Sequence, residues 1–179
     1  CQETIAKYPG STGAQNCYNL EITLHTPSLG LVTENVNVSN LPFRTLVEYK
    51  NLSTIYLRII KTSYLEWNDW IIQESDKSWK QLLNAKVIKS WSQSFPNPND
   101  LQNHAAEIKI DGLPNGMYVI LASQSPNFEL SNNFLARQLT YISDISYILN
   151  SKNELYVLNR TTGEPIDKAQ VQLWTKNYN

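Results

Sequence analysis

Glu154-Leu-Tyr-Val-Leu-Asn-Arg-Thr-Thr-Gly-Glu-Pro-Ile-Asp-Lys-Ala-Gln-Val-Gln-Leu-Trp174 reads as strand, turn, strand. Successive side chains in a strand face opposite ways, so Leu155, Val157 and Asn159 share one side of the first run. Val171 and Leu173 alternate along the second, against Gln170, Gln172 and Trp174 on the other face. Between the runs Gly163 allows positive φ, and Pro165 fixes φ after the turn. The stretch reads as the opening of an all-β domain of extracellular type. It starts so close to the last residue that the chain is predicted to stop inside a domain.

The same rhythm extends backward from this point. Leu29–Val38 is strand-like, and Asn40-Leu41-Pro42 turns. Phe43, Thr45, Val47 and Tyr49 alternate against Arg44, Leu46 and Glu48. Lys50–Ser53 turns again, and Ile55–Lys61 follows with Ile55, Leu57 and Ile59 predicted inward. Further strands are predicted over Lys86–Phe95, Ala105–Ile110, Met117–Ser123 and Phe134–Ser143. About seven strands over residues 29–143 match an immunoglobulin-like antiparallel sandwich. Residues 64–85 break the rhythm. Trp67, Trp70 and Ile71, then Trp79, Leu82 and Leu83, recur at helical spacing, with Ser75-Asp76 as a cap between two short inserted helices.

The ends are less regular. Residues 1–28 are read as a leader or linker: residues 1–16 carry Pro9-Gly10-Ser11-Thr12-Gly13 without periodicity. Asn16–His25 suits a helix through Leu20 and Leu24 and a strand through Leu20, Ile22 and Leu24, and Pro27 ends it either way. Residues 144–179 are read as the incomplete start of a second β domain, with strands at 145–149, 154–159 and 169–175. Three strands leave unpaired edges and an apolar face. They are predicted to be covered by residues 1–28, by the first domain, or by a second copy of the chain.

Composition agrees with β structure, with ten Tyr and five Trp among 179 residues. A net charge of −1 with scattered Lys and Arg excludes the clustered positive charge that nucleic acid requires. No run of about 18 apolar residues is present to span a membrane. Cys1 and Cys17 are not at metal spacing. They leave three readings: a disulfide, a buried small residue beside a mobile terminal thiol, or a lipid-bearing Cys1.

Chemistry-bearing constellations are scarce. His25 and His104 have no neighbour at ligand spacing and read as solvated polar residues. Glu107 and Asp111 fall on one strand face if that strand continues, where exposed charge is common. Asn97, Asn99 and Asp100 lack the charge of a calcium loop and read as turn chemistry. No nucleophile elbow, zincin motif or phosphate loop occurs, and no cofactor is predicted. Asn37, Asn51 and Asn159 head glycosylation sequons, which matter only in a eukaryotic secretory host. Trp67, Trp70 and Trp79 have two readings: an interaction surface, as a sugar platform or protein hot spot, or packing of the insertion onto the sandwich.

The succession Pro42–Asn51, Ile55–Ile59, Trp91-Ser-Gln with Pro96, Glu107–Ile110 with Leu113–Tyr118, and Arg160–Pro165 through Val171 resembles bacterial alpha-2-macroglobulin-family proteins. The large surface or periplasmic forms of Bacteroidetes-type bacteria are the nearest in pattern. The Thr-Gly-x-Pro…Ala-x-Val piece also looks like carboxypeptidase-regulatory and transthyretin-like modules. The resemblance implies macroglobulin domains in series within a protease-trapping inhibitor. The family's thioester motif Cys-Gly-Glu-Gln is missing, and Cys1-Gln2-Glu3 imitates it poorly. It therefore implies a non-catalytic structural and interaction module. Its partners would be neighbouring domains of the same polypeptide and, through the full-length protein, proteases. A dimer through the tail and a periplasmic or cell-surface location, with a lipid anchor elsewhere in the parent, also follow. The alternative reading is a bacterial carbohydrate-binding or adhesin-type β-sandwich module.

Overall fold

Alternation becomes strands wherever it was clean. The computed structural model describes residues 1–172, which form α1 (Gln2–Lys7), α2 (Thr12–His25), β1 (Ser28–Thr33), β2 (Val36–Asn37), β3 (Phe43–Lys50) and β4 (Thr54–Thr62). There follow α3 (Tyr64–Ile71), α4 (Ser75–Asn84), β5 (Val87–Ser94), β6 (His104–Ile110), β7 (Gly116–Ser123), β8 (Leu135–Ile142), β9 (Ile145–Leu149) and β10 (Leu155–Asn159). In β3 Phe43, Thr45, Val47 and Tyr49 are buried while Arg44 and Glu48 are exposed. In β4 Ile55, Leu57 and Ile59 are fully buried. Each such side chain contributes about 1.5–3 kcal/mol by leaving water.

Two sheets face each other. One has the order β1-β3-β6 and the other β2-β8-β7-β4-β5. Their inner faces supply one core that includes Val47, Tyr49, Ile55, Leu57, Ile59, Ile108, Ile110, Tyr118 and Ile120. This is the predicted mainly β, immunoglobulin-like sandwich with a short helical insertion. A further signature is Tyr118 at the start of β7, whose hydroxyl donates to the Pro114 carbonyl at 2.9 Å. That bond reproduces the tyrosine corner of immunoglobulin-like domains. Gly112 closes the same end: a Cβ there would lie 2.4 Å from the backbone carbon of Asn40, so only glycine lets the two turns touch.

The single strand predicted over Leu29–Val38 is two. β1 pairs antiparallel with β3, whereas β2 pairs parallel with β8 in the opposite sheet. The chain crosses between sheets at Glu34-Asn35. Asn35 and Asn37 carbonyls accept from Tyr141 and Ser143 amides at 2.7 and 2.9 Å. Asn37 itself is buried and donates to Thr140 Oγ1 at 2.9 Å, so this sequon asparagine is a core residue.

The helical insertion lies at 64–85 as predicted, but its cap does not. Glu74, not Ser75-Asp76, caps α4, with no side-chain bond. Ser63 caps α3 instead. Its hydroxyl accepts from Glu66 N while Glu66 accepts from Ser63 N, a reciprocal capping box.

Residues 1–28 are not an irregular leader. Pro9-Gly10 turns between α1 and α2, and Ser11 Oγ accepts from Ala14 N at 3.1 Å to start α2. The last turn of α2 is tied to the β3–β4 turn: Lys50 Nζ and Asn51 Nδ2 donate to Thr23 and Leu24 carbonyls. Cys1 and Cys17 are free thiols. Cys1 precedes α1 and Cys17 sits within α2, so the pairing considered above is not made.

The opening hairpin is rearranged. Its first strand forms as β10 but pairs with the preceding β9. After the turn at Gly163 (φ 75°) the chain returns for a bridge between Leu158 and Pro165, with bonds from Asn159 N to Glu164 O and from Ile166 N to Val157 O. Pro165 lacks an N–H and Lys168 takes a positive φ, and residues 169–172 form no strand. Leu173 and Trp174 lie outside the described residues. Among the described residues the predicted cover is not found: Tyr147 is 71% exposed and Leu149 59%.

Candidate interaction site

The three insertion tryptophans converge on the outer face of the five-stranded sheet. Trp67 and Trp70 come from α3 and Trp79 from α4. They pack around Ile60, Leu82, Val119, Leu121 and Phe128, a second apolar cluster on the far side of the sheet from the main core. The helices cover the outer face of β7 and the facing sheet its inner one, which explains why this strand reads as a continuous apolar run.

Arg137 of β8 enters this cluster, a residue that sequence reading did not single out. Its guanidinium carbon lies 5.6 Å from the Trp67 ring centre and 5.1 Å from that of Trp79. Nη1 donates to the buried Ser78 Oγ at 2.7 Å. Burial lowers its pKa, yet an arginine stays charged there. Indole faces attract a desolvated cation, so Arg137 pins the insertion without a carboxylate. All three rings are half-buried, and the contacts found are those of packing; a sugar platform needs ring faces open to solvent.

A second cluster lies at one end of the three-stranded sheet. Tyr49 stacks on Phe95 with centroids 4.7 Å apart, and His104 packs on Tyr49 at 5.6 Å. His104 Nε2 meets Asp100 Oδ1 at 2.9 Å, so His104 does have an acidic neighbour. The loop's positive φ at Asn99 and Leu101 turns Asp100 back toward the strand, a conformation sequence spacing does not reveal. Asp100 also accepts from Gln102 N, and that bond, followed by His104, lowers its carboxyl pKa. Asn97 accepts from Asn99 N, which is turn chemistry. Glu107 and Asp111 do not act together. Glu107 holds Arg44 at 2.8 Å, whereas Asp111, past the end of β6, pairs with Lys89 of β5 across the sandwich. His25 is exposed in the last turn of α2. Among the described residues no three His, Cys, Asp or Glu side chains converge as a cation site.

The third cluster joins the sandwich to the hairpin. Asp144 accepts from Ser39 N (3.0 Å), Ser39 Oγ (2.7 Å) and Asn115 Nδ2 (3.1 Å). Those bonds lower its carboxyl pKa, the Ser39 hydroxyl most. Arg160, arriving from the far end of β10, donates N to the Asp144 carbonyl at 2.7 Å and Nη2 to Ile145 O at 2.9 Å. Arg160 Nε is buried without a partner. Both hairpin ends are therefore clamped at one point, beside an open groove of about 460 Å³ lined by residues that include Val36, Val38, Leu41, Phe43, Arg44 and Arg160.

No protein-family model matches the chain, and no curated protein sequence matches it. Among solved structures the fold is similar to native alpha-2-macroglobulin from Escherichia coli spanning domains MG0-NIE-MG1, with a TM-score of 0.53 and 15% identity. That match covers 76% of this chain and 46% of the other, so the chain spans less than half of that structure. A CARDB domain from Pyrococcus furiosus (17% identity, 65% of this chain and 92% of that one) and red sea bream transglutaminase (12%, 84% and 23%) are also similar, each with a TM-score of 0.37. Only the first likeness is strong enough to support the fold. No described helix is long and apolar enough to cross a membrane.

Proposed function

We propose that the chain is a non-catalytic structural and interaction module of a larger alpha-2-macroglobulin-like protein, which traps proteases as a broad-range inhibitor. The likeness of its sandwich to the Escherichia coli alpha-2-macroglobulin domains carries this reading. The architecture fits a serial scaffold. The sandwich is closed and well packed, and the β9–β10 hairpin leaves it from a clamped root with both faces open. Those faces are where a neighbouring domain of the same polypeptide, or a second copy, packs. Asp100, Glu107 and Asp144 are held in structural bonds at three separate places, which suits a scaffold. The parent protein is expected in the periplasm or at the cell surface.

The test is to incubate the parent protein with endopeptidases of differing specificity. Trapping predicts lost cleavage of a protein substrate with cleavage of a small chromogenic peptide retained. Undiminished cleavage of both, with the parent in molar excess, sinks the trapping role. Deleting residues 29–143 from the parent then asks whether this sandwich is needed.

A further inference from the structure

We propose that the free edge of β2, with the groove beside it, binds an extended acidic segment of another polypeptide as an added strand. β2 is the last strand of its sheet and, among the described residues, pairs only with β8. Asn35 and Asn37 direct their carbonyls to β8. Backbone groups alternate between the two edges of a strand, so Val36 and Val38 present their N–H and C=O away from the sheet, toward the groove. An unpaired edge of this kind is a template for an incoming strand.

The groove supplies side-chain recognition as well. Val36, Val38, Leu41, Pro42 and Phe43 form an apolar floor and wall. Arg160 lines the same groove, where its Nη2 donates to the Ile145 carbonyl, and among the described residues no carboxylate lies within ion-pair distance of it. A carboxylate is the partner whose geometry fits a guanidinium's remaining N–H groups. Arg44 adds a second cation, although one of its nitrogens already holds Glu107. Glu34 is the one acidic residue on the rim, so arginines outnumber acids two to one there. Alternate residues of an added strand face the same way, so the fitting segment alternates an acidic with an apolar side chain. The inference stands on this edge alone and does not depend on the macroglobulin reading.

The experiment uses the full 179-residue chain and an array of capped hexapeptides in which Glu is scanned through alternating Val and Ser backgrounds. Amide hydrogen exchange reads binding at Val36 and Val38. At least one peptide is expected to slow exchange at both amides. Arg160→Gln is expected to weaken that peptide about tenfold or more. Replacing Glu by Lys in the peptide, or N-methylating its edge-facing amides, is expected to abolish binding. The proposal is overturned if no peptide protects Val36 and Val38, if the Lys peptide binds equally, or if N-methylation leaves binding unchanged. Folding of the Arg160→Gln chain is checked by an unaltered exchange pattern in β7. If it misfolds, Arg44→Gln takes its place, with a loss of about threefold or more expected and no loss counting against the groove.

Discussion

The sandwich and the β9–β10 hairpin are built from the same kind of sequence, yet they meet different fates. β4 and β9 both carry runs of Ile, Leu and Tyr, but Ile55, Leu57 and Ile59 lie fully buried whereas Ile148 and Leu149 are more than half exposed. The difference is the layer opposite. β4 has the three-stranded sheet on one face and inserted helices on the other, while among the described residues the hairpin has neither. An apolar strand stabilises a fold only in proportion to what covers it, so the same residue type is predicted to have very unequal energetic weight in the two regions.

That contrast breaks most easily at Ile59. Ile59→Ala is expected to cost about 4 kcal/mol in chemical denaturation, because the closed core cannot collapse around the void. A cost below about 1 kcal/mol would mean the sheets are not tightly packed. Tyr118→Phe keeps the ring but loses the bond to the Pro114 carbonyl, so a loss of about 1 kcal/mol is expected, read by the thermal midpoint. Thr45→Val should act in the opposite direction. Thr45 Oγ1 is fully buried with no partner, and exchanging the hydroxyl for a methyl of similar shape is expected to stabilise the sandwich by about 1 kcal/mol.

The hinge between the two regions is sharpened by pH. The Asp144 carboxyl is lowered in the folded chain by Ser39 and Asn115. Its contribution is therefore complete above the ordinary carboxylate range and is lost as pH falls through the lowered folded value. Unfolding midpoints of wild type and Asp144→Asn are expected to differ near pH ~6 and to converge near pH ~2. A gap that widens with acid would contradict this sign. Smallest of all is Ile148→Ser on the open hairpin, expected to shift global stability by less than about 0.5 kcal/mol. A loss near that of Ile59→Ala would show that the hairpin is covered in solution, as by a second copy.

Much of the fold was readable because each strand of the sandwich carries its own alternation, and the insertion its own helical spacing. The Ser63-x-x-Glu66 box was readable too, being local, and was passed over in favour of Ser75-Asp76. Of the helices in residues 1–28, α1 was hidden by its lack of periodicity before the Pro9-Gly10 turn, and α2 was left open between helix and strand because its apolar stripe is hardly buried: only Ala14 is. Of the candidate residues, Trp67 and Trp70 were legible as a pair because a spacing of three puts them on one side of α3, whereas Trp79 joins them only through the packing of α4. Arg137 and Ser78 were not, since they are brought together across 59 positions by the packing of α4 on β8.

By itself the sequence determined most strands of the sandwich, the helical insertion, and which of their positions are apolar on one face, because these follow from periods of two and 3.6 residues within a few neighbours. Tertiary structure alone decided which sheet each strand joins. The switch at Glu34-Asn35 depends on Tyr141 and Ser143, more than 100 residues away. It also decided that β10 pairs along its length with β9, with only a short antiparallel bridge to Pro165 on its other edge among the described residues, and that Arg160 meets Asp144 beside a strand edge. Hydrogen-bond partners and cover are properties of pairs of distant segments, and no local pattern encodes them.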